Sequence, residues 1–185
     1  MTIAGVLTLE HPVLPGGPDN DLARRSAEAL QALCDAASLD EVWVAGPEAH
    51  LRLLGSVPSR VHMLHVEETA DWRRQLLGRV LEELPSGVRA IVYAKGDAEV
   101  LASSVVDQLV ALHLRSGAEV VGVARPDGEA GFPRLTIRSG LEEAVAFGRH
   151  WFELVWEKEP ERILRLDRDG DEGLSPSAPF IGATP

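Results

Sequence analysis

Positive charge is scarce in this sequence. Its 185 residues hold 18 Lys and Arg against 29 Asp and Glu, a formal charge of -11, and only Lys95 and Lys158 are lysines. Such a balance lacks the basic footprint that nucleic acid or an anionic membrane surface requires, so neither is an expected partner. Cysteine is nearly absent as well. A lone Cys34 excludes an internal disulfide and any zinc site built on cysteines, which suits a reducing compartment. No stretch approaches the ~18 consecutive apolar residues of a membrane span, and residues 1–9 lack the layout of a signal peptide. The expected location is the cytoplasm.

What is present is an ordinary globular composition, 45% hydrophobic and 25% charged, at a length that suits one domain. Residues 3–9 (IAGVLTL) form an apolar run of strand length, followed by a Pro- and Gly-rich loop over 11–18. Asp19, Asn20 or Asp21 can cap a helix to about Ala37, with Leu22, Ser26, Ala29, Leu30, Leu33 and Ala37 on one face. Further strands are expected at 41–46, 60–66, 88–94, 119–124, 134–138 and 162–166. Helices are expected at 47–54, 70–84 (inner stripe Trp72, Leu76, Val80, Leu84), 103–116, 140–147 and 150–158. Ser103 or Ser104 is a candidate cap for the 103–116 helix, and Gly117 its terminator. Alternation of this kind implies βαβ crossovers, and so an α/β class with a mostly parallel twisted sheet and helices on both faces, a three-layer arrangement. Residues 1–166 read as one domain and 167–185 as an acidic tail with Pro, Ser and Gly.

Ligands of open α/β sheets gather beyond the C-terminal ends of the strands. The loop after the first strand contains Gly16 and Gly17, but neither the dinucleotide fingerprint nor the P-loop pattern is present. The fourth strand ends in Gly96-Asp97-Ala98-Glu99. There Gly96 would let a ligand approach the backbone, and Asp97 could hold Mg²⁺ on a nucleotide phosphate; a solvated turn is the plain alternative.

These pieces come in a telling order. Residues 13–18 (VLPGGP) precede a long helix, 39–47 (LDEVWVAGP) and 92–97 (VYAKGD) follow, and then 116–124 (SGAEVVGVA), 132–138 (FPRLTIR), 141–148 (LEEAVAFG) and 179–185 (PFIGATP). The chain resembles the molybdenum cofactor guanylyltransferase (MobA-like) family. The resemblance implies the nucleotide-diphospho-sugar transferase-like fold, and Mg²⁺-dependent nucleotidyl transfer from GTP or CTP to a phosphorylated acceptor such as molybdopterin. It assigns Asp97 to the metal and, where transfer persists, to catalysis, with Gly96 at the nucleotide.

The sequence also departs from that family. The Gly-rich loop that should follow the first strand, with its arginine and lysine, is replaced by Leu7-Thr8-Leu9-Glu10-His11-Pro12; Glu10 would repel phosphate, and Pro12 and Pro15 lack amide donors. Glu99 replaces the proline after the Gly-Asp pair, and Gly182 and Ala183 replace polar residues of the closing motif. Missing cations and ligands at a transferring phosphate cost several kcal/mol of transition-state stabilisation, so weak or absent turnover is expected. Arg73, with Arg24, Arg25 and Arg74, could substitute as a phosphate partner by its bidentate fork, although each alone reads as a solvent-facing helix residue. The alternative is a non-catalytic binding or accessory protein, serving cofactor maturation or a partner enzyme; guanylyl transfer to phospholactate is a third option.

Other candidates are weaker. Asp167, Asp169, Asp171 and Ser175 copy part of a calcium loop, but Glu172 stands in place of its glycine and Ala178 in place of its bidentate glutamate. His62 and His65 lie three apart on a strand and so face opposite ways. Cys34 reads as a small core residue. Trp151, Phe152 and Trp156 fall within residues 150–156, and any that face outward would suit a protein partner or a homodimer.

Overall fold

The computed structural model describes residues 1–10, 20–70, 72–96, 102–123, 135–139, 141 and 163–166. In chain order they form β1 (Thr2–Thr8), α1 (Asn20–Asp35), β2 (Glu41–Gly46), α2 (Glu48–Leu53), β3 (Val61–His65), α3 (Trp72–Glu83), β4 (Val88–Lys95), α4 (Ser103–Ser116), β5 (Val120–Val123), β6 (Leu135–Ser139) and β7 (Ile163–Leu166). The strands join one sheet in the order β3-β2-β1-β4-β6-β5-β7. All neighbours run parallel except β6, which is antiparallel to both β4 and β5. The expected helices over 140–158 and the acidic tail with its calcium-like loop lie outside the described residues.

Each central strand is buried on both faces, which is why it reads as a continuous apolar run and not as an alternation. On one face Ile3, Leu7, Val42, Val92, Val121 and Ile137 meet Leu30 and Leu33 of α1, Leu54 after α2, and Val106 and Leu109 of α4. On the other face Ala4, Val6, Ile91 and Tyr93 meet Trp72, Leu76, Leu77 and Val80 of α3. Helices therefore cover both faces, the three-layer arrangement expected from the sequence. Cys34 is buried in the first cluster, as a core residue should be.

Two expected details differ. α1 ends at Asp35, so Ala37 lies past the helix and is exposed. Its N–H and that of Ser38, with the Ser38 hydroxyl, donate instead to the Asp107 carboxylate of α4 at 3.4, 2.9 and 2.6 Å. At α4 the cap position is Ala102, with no side-chain cap bond, and Ser103 is already helical. The other end is as expected: Gly117 adopts φ 66°, a left-handed conformation open to glycine, and its N–H reaches the His113 carbonyl.

Burial raises the Asp107 pKa, but the hydrogen bonds from the Ser38 side chain and from the Ser38 and Ala37 backbone outweigh it, and the net direction is down. The unfolded chain then takes up this proton first as pH falls. The stabilisation is complete above the unfolded value, about 4, and is lost as pH drops through the lower folded value. Asp107→Ala should cost about 1–3 kcal/mol at pH 7 by denaturant titration, and the deficit should shrink in acid. Burial also lowers the pKa of His113, only partly countered by the Ala118 carbonyl, so the fold holds it neutral. Its contribution is complete above the unfolded value of 6.5 and is lost as pH falls toward the lower folded value. In His113→Leu, stability measured across that window should lose this slope.

Candidate nucleotide site at the ends of β1 and β4

The chain builds β1, β2 and β3 outward in one direction and then returns to place β4 on the other side of β1. In open α/β sheets ligands bind where the strand order reverses, which here is the crevice position beyond the carboxyl ends of β1 and β4. The two strands pair in register, Val6 with Tyr93, Leu7 with Ala94 and Thr8 with Lys95. Side-chain alternation then puts Thr8, Tyr93 and Lys95 on the α3 face.

Polar groups concentrate there. Thr8 is fully buried and Tyr93 nearly so. The Tyr93 hydroxyl donates to Glu10 Oε1 at 2.8 Å and lies 3.0 Å from the Thr8 hydroxyl, which is itself 3.0 Å from the same carboxylate oxygen. Two hydroxyls so placed orient a carboxylate at the exit of β1. Lys95 is half-buried two residues beyond Tyr93 on the same face.

Gly96 follows β4 and is packed between β1 and α1. Its N–H donates to the Thr8 carbonyl at 2.8 Å, continuing the ladder, and its own carbonyl accepts from the buried Ser26 hydroxyl of α1 at 2.8 Å. A Cβ at position 96 would stand 2.8 Å from Leu9 Cδ2, 3.0 Å from Ser26 Oγ and 3.2 Å from the Thr8 carbonyl. Packing against β1 and α1 is therefore reason enough for glycine here. Ser26, expected simply on the inner face of α1, is the group that ties that helix to the end of β4.

Asp97, the residue the sequence nominates for the metal, lies outside the described residues, as do 11–19 and Glu99. Arg73 lies in the first turn of α3, with its side chain outside the description, and Arg74 likewise. Arg24 is engaged by Asp21 at 2.6 Å and Glu28 at 2.7 Å, and Arg25 by Asp21 at 2.6 Å. The Arg24 hydrogen bond holds the Asp21 carboxyl below its ordinary pKa. Neither arginine is thus at liberty to meet a phosphate without giving up an acidic neighbour. His62 stacks on Trp43 at 4.5 Å, while His65 belongs to a groove at the ends of β2 and β3 with Pro47, Glu48, Arg52, Val66 and Glu68. Among the described residues no group of three or more His, Cys, Asp and Glu is placed to hold a metal.

Tyr93 and Thr8 were not singled out from the sequence. The available signal was modest: the chain's one tyrosine, near the end of a largely apolar strand.

No protein-family model and no curated protein matches the sequence. Solved structures do match. The Mycobacterium tuberculosis H37Rv protein Rv0371c superposes over 90% of this chain and 87% of its own with a TM-score of 0.69 at 17% identity, and its manganese complex with a TM-score of 0.65. The chain has a three-layer α/β fold that matches the nucleotide-diphospho-sugar transferase-like architecture. The 4-diphosphocytidyl-2C-methyl-D-erythritol synthase of Anaerococcus prevotii aligns over 90% of this chain and 86% of its own, with a TM-score of 0.59 at 8% identity. A CMP-2-keto-3-deoxy-manno-octonic acid synthetase complexed with CTP aligns over 90% of each chain, with a TM-score of 0.53 at 13% identity. These nucleotidyltransferase-fold neighbours share the three-layer architecture with its mixed, mostly parallel sheet; at such identities it is the fold that is common.

Two substitutions test the local construction. Gly96→Ala must displace Leu9 and should destabilise by about 1–3 kcal/mol in thermal or chemical unfolding. Ser26→Ala leaves the Gly96 carbonyl without its donor and should cost about 1–2 kcal/mol.

Proposed function

We propose that this chain is a divergent MobA-like protein which binds a nucleotide with a divalent cation in the β1–β4 crevice and transfers the nucleotidyl group slowly or not at all. The observation that carries the reading is the Glu10 carboxylate, oriented by Tyr93 and Thr8 at the exit of β1. A phosphate cradle at that place needs convergent N–H donors and cations. A carboxylate held at that place supplies neither.

An Asp97 carboxylate would suit a hard cation, because carboxylate oxygens are the preferred ligands of Mg²⁺ and of Mn²⁺. Asp97, next along the chain from Gly96, is the residue assigned to hold it. When bound, the ion would neutralise charge on the phosphates. Gly96 keeps the floor of the crevice low, Tyr93 and Thr8 keep Glu10 in one orientation, and Arg73 at the start of α3 is the proposed phosphate partner. The substrate of such a site is GTP or CTP, and the acceptor for any residual transfer is a phosphorylated compound of the molybdopterin kind. Manganese in the Rv0371c complex and CTP in the synthetase complex support metal and nucleotide as ligand classes on this fold.

Isothermal calorimetry of the full chain with GTP and with CTP, each with Mg²⁺ or Mn²⁺, tests the proposal. Binding should require the cation, weaken at least about tenfold in Asp97→Ala, and strengthen about threefold to tenfold in Glu10→Gln, which keeps an acceptor for Tyr93 while removing a charge worth about 1 kcal/mol. No heat with either nucleotide under any of these conditions would overturn it. Efficient pyrophosphate release with an acceptor would overturn the expectation of slow turnover.

A further inference from the structure

Among the described residues β3 is an edge strand of the sheet, paired with β2 on one side. Edge strands in natural proteins are commonly guarded by lysine, proline, inward charges or a bulge, because an open row of backbone donors and acceptors invites another strand. β3 reads Val61-His62-Met63-Leu64-His65, with no Lys, Arg, Asp, Glu or Pro. Met63, its central residue, is 57% exposed, one of three large hydrophobics so exposed among the described residues. His62 and His65 are exposed as well.

The charges lie just beyond the strand and have opposite signs at its two ends. Arg60 precedes it and Glu67 follows it, both exposed, and among the described residues neither has an ion-pair partner. A strand with a cation at its start and an anion at its end is complementary to an antiparallel copy of itself. Turning one copy about a two-fold axis through Met63 sets Met63 against Met63, His62 against Leu64 and Val61 against His65. The same turn brings Arg60 of each copy to the Val66–Glu67 end of the other.

We propose that the chain forms a two-fold dimer by antiparallel pairing of β3 with β3, centred on Met63 and closed at both ends by Arg60 with Glu67. Such an interface is isologous and self-terminating, so it yields a dimer and not a filament. Backbone pairing supplies the attraction, burial of Met63 adds to it, and the terminal charges fix the register. It also carries Arg60 of one subunit to the rim of the other's groove lined by Glu48, His65 and Glu68, adding a cation at the same end of the sheet as the nucleotide crevice.

Sedimentation velocity on the full chain tests this, with circular dichroism as the check on folding. The expected species has twice the 20.0 kDa mass of one chain. Met63→Lys guards the edge without touching the core, and it should weaken dimerisation at least about tenfold. Arg60→Glu should weaken it as well, and the double variant Arg60→Glu with Glu67→Arg should restore it. A chain that stays monomeric up to ~100 µM would overturn the proposal, since that is weaker than a specific dimer of this kind should be. A dimer unaffected by Met63→Lys, or a charge swap that fails to restore association, would equally reject this interface. Nucleotide binding need not change in any of these variants, so this test and that of the nucleotide site can fail separately.

Discussion

The pairing of β1 with β4 is the constraint on which the site depends. The two strands are far apart in sequence, yet their register brings Thr8 level with Lys95 and lets the Gly96 N–H extend the ladder onto the Thr8 carbonyl. Once that register is set, Tyr93 must lie beside Thr8, and Glu10 has two hydroxyls within reach. A slip of one residue would send Tyr93 to the α1 side and leave both hydroxyls of the crevice without partners. Ser26 makes the register depend on α1 too, because its bond to the Gly96 carbonyl forms when helix and strand end are both in place.

Core and site impose different demands on the same strands. Residues 3–7 and 90–92 are apolar and buried on both faces, which supports the sheet but leaves nothing for chemistry. Polarity begins abruptly at Thr8, Tyr93 and Lys95. That transition, within one turn of the pleat, marks the crevice more clearly than any motif does.

Much of the architecture was legible in the sequence because buried parallel strands and amphipathic helices leave distinct periodicities. IAGVLTL, EVWVAG and VRAIVYA became β1, β2 and β4 almost to the residue, and the stripe of Trp72, Leu76 and Val80 became the inner face of α3. The direction of β6 was not legible, since FPRLTIR has the same composition whichever way it runs. The end of α1 is not legible, because Ala37 fits the helical spacing while the bonds beyond the helix end come from Asp107, 70 residues away. The hydroxyls around Glu10 are hidden for a similar reason: contacts between strands depend on register, and register is a property of the whole sheet. At Gly96 the sequence suggests room for a ligand, yet the space is already filled by Leu9 and Ser26.

The reversed strand β6 has a consequence for where this protein can change. Because it runs against β4 and β5, Leu135 enters opposite Ala94 and Ser139 leaves opposite Ala90. The segment joining β5 to β6 is therefore tethered at both ends to the rim that holds the crevice. The segment joining β6 to β7 is tethered at both ends to the opposite rim. Insertions and deletions in the first are anchored beside the ends of β1 and β4, and those in the second are anchored a full strand length away. The two connections can therefore lengthen or shorten on opposite rims of the sheet, each without displacing the other.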